Sequence, residues 1–327
     1  MRIPMDELTQ PRPRRVCVPI IDAHCHLTKL GWTATMFRAA EIYGISKLVG
    51  ICELKMVEPM RRRFGARVEF NIWMDHARPD DPAAFARGNV ERVRRAVDLG
   101  CCCVKFWYKP QFNEKTGLFL DDWRLDPVFA ALIDADMPVM IHIADPDIWW
   151  RKQYKDRNRF ESKRHTYRQL TNMLGRYPEL NVVVAHLGGH PEDLGHLDEL
   201  LDQHPNLRLD TSATKWVARE LSRQPRKARR FIIDRADRLL FGTDVVPFKG
   251  TTVEHHCARY AVHQHLLEGR GKMVSPIRDP DAGRRVQVAG LNLPDDVLER
   301  IYHVNAVQCF GLTEVATEKN TIETKHG

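Results

Sequence analysis

The feature that most constrains the fold is a series of eight short apolar runs, each followed by a stretch with helical character. The first run covers residues 18–26 and the last covers residues 237–245. Runs that are apolar throughout, rather than alternating with polar residues, are typical of parallel strands that are covered on both faces. The other six runs, in chain order, are residues 47–53, 67–75, 101–108, 137–145, 180–188 and 206–213.

Eight strand–helix units predict a TIM (β/α)8 barrel of the α/β class. The alternative is a doubly wound open sheet. That fold would need a glycine-rich phosphate turn directly after the first strand. Residues 20–31 contain no G-x-G-x-x-G pattern, so we favour the barrel. We expect a single barrel domain over residues 18–312, preceded by an N-terminal segment (1–17) and followed by a polar tail (313–327).

Two connections of the predicted barrel are long, namely residues 145–168 after strand five and residues 246–290 after strand eight. Active sites of such barrels are built from the loops that follow the strands, so both connections are candidate lids. The second connection also contains four histidines that we expect at the surface: His255, His256, His263 and His265.

Composition narrows the class of protein. The chain has 327 residues, a formal net charge of +7 and 43% hydrophobic residues. It contains no run of about 18 apolar residues that would predict a membrane span, and its start lacks the apolar stretch of a signal peptide. The basic runs carry no nucleic-acid-binding motif, and the eight cysteines form no C-x-x-C pair. We therefore expect a cytoplasmic protein that acts on a small molecule.

Chemically capable residues stand at the ends of four predicted strands. His24 and His26 end the first, His142 the fifth, His186 the sixth and Asp244 the eighth. Residues i and i+2 of a strand point to the same face, so His24 and His26 should both point into the barrel. Two imidazoles form half of a divalent cation site, and the strand-five histidine and the strand-eight aspartate can complete it. A water molecule in the open position would then become acidic enough to react near neutral pH.

Residues around this predicted rim suggest the substrate. Lys105 ends strand four and could be carbamylated to bridge two metals, bind a substrate carboxylate or pair with an acid; we favour a plain amine that faces the site. Trp107 is a candidate pocket wall. Together with Lys105, the basic residues Lys109, Arg151 and Lys249 predict a carboxylate-bearing substrate.

Four motifs in this order resemble the amidohydrolase superfamily, and within it the "amidohydrolase 2" branch of metal-dependent hydrolases and decarboxylases. The closing segment, residues 286–312, is also similar to that branch. The motifs are IIDAHCHL (20–27), VMIHIADP (139–146), VVVAHLGGH (182–190) and LLFGTDVVPF (239–248). TatD-like nucleases share the first motif, but they carry a glutamate in strand four and an ETD end to strand eight, which this chain lacks.

The resemblance implies a set of roles. In mononuclear members one metal, usually zinc, is bound by the equivalents of His24, His26, His142 and Asp244. The equivalent of His186 serves as a general base or assists the water electrostatically. In binuclear members a carbamylated strand-four lysine bridges two ions, which would involve Lys105, His142 and His186; we rank this second. The resemblance also allows a homodimer.

The predicted function is hydrolysis of a small amide, lactone or ester by metal-activated water, with one zinc ion per chain. Asp244 would carry the proton and His186 would orient the nucleophile. The alternative is non-oxidative decarboxylation by the same machinery. A hypothesis of a different class is a metal-binding barrel without catalytic activity.

Overall fold

The computed structural model describes residues 6–313 of the chain. Eight parallel strands form one sheet in sequential order, which confirms the predicted barrel. Most strands stop before the ends of the apolar runs, because the hydrogen-bonded ladder ends where the chain turns outward. The strands are β1 (Ile20–His26), β2 (Ile45–Cys52), β3 (Val68–Trp73), β4 (Cys103–Trp107), β5 (Val139–His142), β6 (Val182–Val184), β7 (Leu207–Asp210) and β8 (Leu239–Leu240).

Helices surround the sheet and follow the strands in alternation. A representative start is that of α3, where Asp81 accepts a hydrogen bond from the Ala84 amide and Pro82 occupies the first helical position. The helices are α1 (Leu30–Ile42), α2 (Val57–Phe64), α3 (Pro82–Asp98), α4 (Pro110–Thr116), α5 (Asp126–Asp134), α6 (Asp147–Lys152), α7 (Lys163–Arg176), α8 (Leu194–Gln203), α9 (Thr214–Arg223), α10 (Pro225–Asp234), α11 (Val253–Glu268), α12 (Asp295–Glu299) and α13 (Asn305–Phe310). A small antiparallel hairpin consists of β9 (Lys272–Val274) and β10 (Gln287–Ala289).

The barrel closes between β1 and the segment that follows β8. The Ala23 amide donates to the Phe241 carbonyl at 2.8 Å. The amides of Thr243 and Asp244 both donate to the His24 carbonyl, at 3.1 and 2.7 Å. Asp22 adds a side-chain contact by accepting from the Thr243 hydroxyl at 2.6 Å. The seam is therefore held by the same short stretches that carry the predicted site residues.

One end of the barrel is plugged and the other is open. Apolar side chains of the strands fill the interior, and residues of α13 continue this inner core at the amino-terminal ends of the strands. The carboxyl ends of the strands therefore remain available for a site. The members of the inner core are Ile21, Ala23, Val49, Ile51, Cys103, Met140, Val183, Ala185, Leu240, Ala306, Cys309, Phe310 and Leu312.

The two long connections fold into defined structure. The first forms α6 and leads into α7, and the second forms α11 and the hairpin. Trp149 on α6 donates from its indole nitrogen to Asp281 at 2.7 Å, so the two connections meet. The predicted surface position was wrong for His256, His263 and His265, which are 0%, 1% and 7% exposed, because α11 packs against α1 and α9.

Two expectations concern the periphery. Within residues 6–313, no helix is both long and apolar enough to span a membrane. The predicted polar tail (313–327) lies outside the described residues except for Thr313, and so do residues 1–5 of the predicted N-terminal segment.

The turn after β6 generates a stability prediction. Gly189 has a φ of +70°, and a Cβ atom there would lie 2.0 Å from the Ala144 carbonyl oxygen. We expect Gly189→Ala to lower the free energy of unfolding by about 2 to 5 kcal/mol, because it adds both backbone strain and a clash with main chain. The matched control is Gly175→Ala in α7. Gly175 has open space where a Cβ atom would lie, so this substitution should raise the free energy of unfolding by up to about 1 kcal/mol. Urea unfolding measures both, and equal effects at the two positions would contradict the prediction.

Candidate metal centre

The two histidines of β1 lie on the same side of the strand, as strand alternation predicts. The ring centroids of His24 and His26 are 6.0 Å apart. Cys25, between them, is fully buried, and its thiol faces the Val49 carbonyl of β2 at 3.7 Å. The alternation therefore directs two imidazoles to the open end of the barrel.

Both imidazoles converge on one carboxylate oxygen. Nε2 of His26 lies 3.0 Å from Oδ1 of Asp244, and Nε2 of His24 lies 3.5 Å from the same atom. The three residues offer ligand atoms that all lie within 4.8 Å of one another. The side chain of Asp244 is 29% exposed, whereas that of His24 is 1% exposed. The group thus has a buried side and a side that faces outward.

Asp210, at the end of β7, was missed by the sequence analysis. Nδ1 of His24 donates to its Oδ2 at 2.7 Å. Its other oxygen accepts from the amides of His186 at 2.8 Å and Ser212 at 2.9 Å. Because Asp210 holds the proton on Nδ1, the lone pair of Nε2 is free to bind a cation. The signal was present in the sequence, since the run LRLD ends in an acid at the same rim.

His186 and His142 lie beside this group. The ring of His186 stacks on that of His24 at 4.9 Å, and its Nδ1 lies 2.7 Å from the Ser212 hydroxyl. His142 contacts His186 edge to face at 4.7 Å. Nε2 of His142 lies 3.1 Å from Asp145. Within residues 6–313, His142 belongs to neither group of convergent ligand atoms, so its predicted ligation stays a prediction.

A second group of convergent ligand atoms consists of His24, His186 and Asp210. Its members are already engaged, because Asp210 accepts from His24 and from the main chain. We therefore interpret this group as support for the imidazoles and assign the cation to His24, His26 and Asp244.

The protonation states suit a cation. Burial lowers the pKa of His24 below its ordinary value, and the nearby Lys105 acts in the same direction. Burial also lowers the pKa of His186. Burial alone would raise the pKa of Asp244, but the hydrogen bond from His26 and the neighbouring imidazoles hold it well below its ordinary value. Neutral imidazoles and an ionised carboxylate are the forms that bind metal.

An unpaired atom supports the same assignment. Nε2 of His24 is buried and accepts no hydrogen bond from any residue in the described range 6–313. An unsatisfied buried polar atom costs about 1 to 3 kcal/mol, and a bound divalent cation would satisfy it. The donor set of two imidazole nitrogens and a carboxylate oxygen therefore fits the divalent metal that the resemblance implies.

Lys105 lies deep in the barrel. It is 2% exposed, and among the residues that the structure describes its ammonium nitrogen has no hydrogen-bond partner. Burial lowers its pKa to about 8, although the charges of Asp210 and Asp244 oppose this shift. Its neighbour on the same face of β4 is Trp107, which pairs with His142 and therefore lies nearer the rim. Lys105 is thus placed beneath the candidate metal centre.

The other residues predicted to bind substrate lie farther out. Trp107 is 37% exposed, and Nζ of Lys109 lies 4.6 Å from the centre of its ring system. Arg151 on α6 and Lys249 are exposed. None of these residues lines the cavity that borders Asp244, so their role in binding stays a prediction.

A cavity of about 350 Å³ borders the candidate metal centre. A larger one of about 630 Å³ lies between the N-terminal segment and α11, but it contains none of the strand-end residues. Of the proposed site residues, Asp244 lines the smaller cavity. The lining residues are Trp149, Ala213, Thr214, Lys215, Trp216, Thr243, Asp244, Val246, Phe248, Arg259, Asp279, Pro280 and Asp281.

The comparisons with known proteins agree with this architecture. Residues 70–312 match the model of a family described as amidohydrolase, which is about three quarters of the chain. No curated protein matches the chain in sequence.

Solved structures resemble the chain over most of its length. The crystal structure of 5-carboxyvanillate decarboxylase from Sphingomonas paucimobilis matches with 15% identity and a TM-score of 0.51, over 91% of this chain and 100% of that chain. 4-Oxalomesaconate hydratase from Rhodopseudomonas palustris matches with 14% identity and a TM-score of 0.54, over 89% and 95%. The 5-carboxyvanillate decarboxylase from Novosphingobium aromaticivorans, complexed with manganese and 4-hydroxy-3-methoxy-5-nitrobenzoic acid, matches with 16% identity and a TM-score of 0.51, over 84% and 79%. At these identities the likeness concerns the fold.

The bond between Asp210 and His24 generates a metal-binding prediction. We expect Asp210→Asn to weaken the affinity for Zn²⁺ or Mn²⁺ by about 10- to 100-fold, because the imidazole loses the acceptor that fixes its tautomer. The control is Asp234→Asn, which changes an exposed carboxylate on α10. Calorimetric titration of chelator-treated protein measures both. Wild-type affinity in the Asp210 variant would contradict the proposed support.

Two buried lysines generate a stability prediction. The folded-state pKa of Lys105, about 8, lies below its ordinary 10.5. Its charge therefore destabilises the fold below pH 8, and this cost disappears as the pH rises from 8 to 10.5. In metal-free protein at pH 7, Lys105→Met should stabilise by about 2 to 3 kcal/mol, and by less at pH 9.5.

The matched control is Lys47→Met on β2. Lys47 is 3% exposed but donates to Glu69 at 2.8 Å, so its removal should destabilise by leaving a carboxylate unpaired. Urea unfolding at both pH values distinguishes the lysines. A Lys105→Met protein that is less stable than wild type at pH 7 would show that Lys105 has a stabilising partner.

Proposed function

The chain belongs to the amidohydrolase family and is an enzyme of that superfamily; from this premise we propose that it is a metal-dependent decarboxylase of a flat carboxylic acid. The observation that carries the proposal is the position of Asp244, which belongs both to the convergent ligand group and to the cavity lining. Two of the structures with this fold are 5-carboxyvanillate decarboxylases. They support decarboxylation over the hydrolysis that the sequence analysis ranked first.

His24, His26 and Asp244 would hold one divalent ion. Imidazole and carboxylate ligands suit both zinc, which the sequence analysis favoured, and manganese, which is present in one structure of this fold. When bound, the ion would supply a Lewis acid that polarises the oxygen atoms of the substrate. Asp210 and Ser212 would keep the imidazoles in place through their hydrogen bonds to His24 and His186.

The reaction requires a proton at the carbon that loses its carboxyl group. The bond between this carbon and the carboxyl carbon breaks, CO₂ leaves, and the electron pair remains on the substrate. Asp244 is the proposed site residue that lines the cavity. Asp244 would first have to take up a proton that enters through the cavity. Because its pKa is low, the protonated form is rare, but once formed it transfers the proton readily to the carbon. His186, which is 3% exposed and packed against His24, positions that imidazole.

Hydrolysis of an amide, lactone or ester remains the second candidate, because a specific observation favours it. Asp244 is held in its ionised form, and an ionised carboxylate beside a cavity can accept a proton from water. The two reactions would use the same residues and differ in the bond that breaks. A barrel that binds metal without catalysis is the third reading. The cytoplasmic location and the homodimer stay predictions of the sequence.

The test uses protein loaded with Zn²⁺ or Mn²⁺ and two panels of compounds: aromatic mono- and dicarboxylic acids, and amides, lactones and esters. We expect CO₂ release from the first panel, with one deuterium in the product when the reaction runs in D₂O. Asp244→Asn should lower kcat by about 10²- to 10⁴-fold, whereas Asp234→Asn should not. Turnover confined to the second panel would replace the proposal by hydrolysis. Metal binding without turnover of either panel would favour the non-catalytic barrel.

A further inference from the structure

Two cations line the cavity beside Asp244. Arg259 projects from α11 and Lys215 from α9. Neither residue follows from the basic residues near the strand ends that the sequence indicates. Both come instead from helices, and α11 belongs to the long insertion after β8.

Each carboxylate of this cavity already has a hydrogen-bonding or ionic partner. Asp279 forms a buried ion pair with Arg219 on α9. Asp281 accepts from the indole of Trp149 at 2.7 Å. Asp244 faces the two imidazoles of β1. Within the part of the chain that the structure describes, neither Arg259 nor Lys215 forms a salt bridge. The charge of Asp244 reaches Arg259 only through space and raises its pKa. In the proposed function Asp244 binds the metal ion, which leaves both cations available to an anionic ligand.

The guanidinium of Arg259 is held in place with donors to spare. Its Nη1 donates to the His255 carbonyl, one turn earlier in α11, at 2.6 Å. Burial lowers the pKa of Arg259 to about 10, so it remains charged at neutral pH. A guanidinium has five donors in a planar fork that matches a carboxylate, and a partly buried charge of this kind gains most from an anionic partner.

Aromatic and apolar side chains form the rest of the wall. Trp216 contacts His186 edge to face at 5.3 Å, which brings the wall up to the candidate metal centre. Phe248 and Val246 are 51% and 40% exposed, although both line the cavity. Exposed apolar surface beside two cations that form no salt bridge among the described residues fits a flat organic anion.

We propose that Arg259 binds a second carboxylate of the substrate, one that the reaction retains, and that the substrate is therefore a flat dicarboxylic acid. This inference depends on the proposed function, because it concerns the same cavity. The choice between the two carboxylates follows from energetics. A guanidinium on the carboxylate that leaves would stabilise the ground state and lose its partner as CO₂ forms, which would raise the barrier. Binding to the retained carboxylate carries no such cost.

The test compares two unreactive probes, benzene-1,3-dicarboxylate and benzoate, by calorimetry on the metal-loaded full chain. Wild-type protein should bind the dicarboxylate more tightly. Arg259→Gln should weaken the binding of the dicarboxylate by about 10- to 100-fold, the loss expected for a hydrogen-bonded charge pair. The same substitution should change benzoate binding by less than about threefold. Arg259→Lys should restore part of the affinity, and the control Arg230→Gln, which removes an exposed arginine on α10, should change neither.

Specific outcomes overturn the inference. Equal losses for both probes would show that Arg259 does not select a second carboxylate, and no loss for either would remove it from the site. If Arg259→Gln fails to fold or to hold metal, the test rests on Arg259→Lys and on the preference of the wild-type protein for the dicarboxylate over benzoate. A wild-type protein that binds both probes equally well overturns the proposal. Arg259-dependent preference without CO₂ release from any acid would refute decarboxylation and support the dicarboxylate site. CO₂ release that does not change when Arg259 is replaced would support decarboxylation and refute the dicarboxylate site.

Discussion

The structure depends on the hydrogen bonds that close the barrel between β1 and the segment after β8. The carbonyl of His24 accepts from two consecutive amides, those of Thr243 and Asp244. The same contacts set the distance between the His24 and Asp244 side chains. Asp244 has a φ of +56°, a conformation that is costly for a residue with a side chain. The hydrogen bonds that close the barrel offset this strain. The geometry of the candidate metal centre is therefore set when β1 and the segment after β8 come together.

The sequence predicted the fold well because its signal is local. Apolar runs identify strands, and the alternation within β1 places two histidines on one side. The positions of Asp210 and Arg259 could not be derived in the same way. Asp210 contacts His24 across 186 positions of the chain, and a run of apolar residues does not reveal which distant side chain its last residue will meet. Arg259 belongs to α11, whose apolar residues and histidines lie on several faces, so no single buried face could be recognised.

Burial determines the chemistry of the site more than the number of charges does. Lys47 and Lys105 are almost equally buried, yet Lys47 has Glu69 as its partner and Lys105 has no hydrogen-bond partner in the described part of the chain. Imidazoles that lose water become weaker bases, as His24 and His186 do. Asp210 and Asp244 keep their charges because hydrogen bonds and neighbouring imidazoles replace the lost water. The protein thus prepares anionic oxygen and neutral nitrogen atoms at one place before any ligand arrives.

The contact between the two long connections has a kinetic consequence. Trp149 and Asp281 both line the cavity, and the hydrogen bond between them joins one connection to the other across its edge. A ligand that left over this edge would have to wait until the bond opened. A hydrogen bond to a charged group contributes about 1.5 to 3 kcal/mol. The state in which the two connections are apart would then be roughly 10- to 100-fold less populated than it would be without this bond. The residence time of a molecule that left by this route would therefore depend partly on two side chains that lie outside the candidate metal centre.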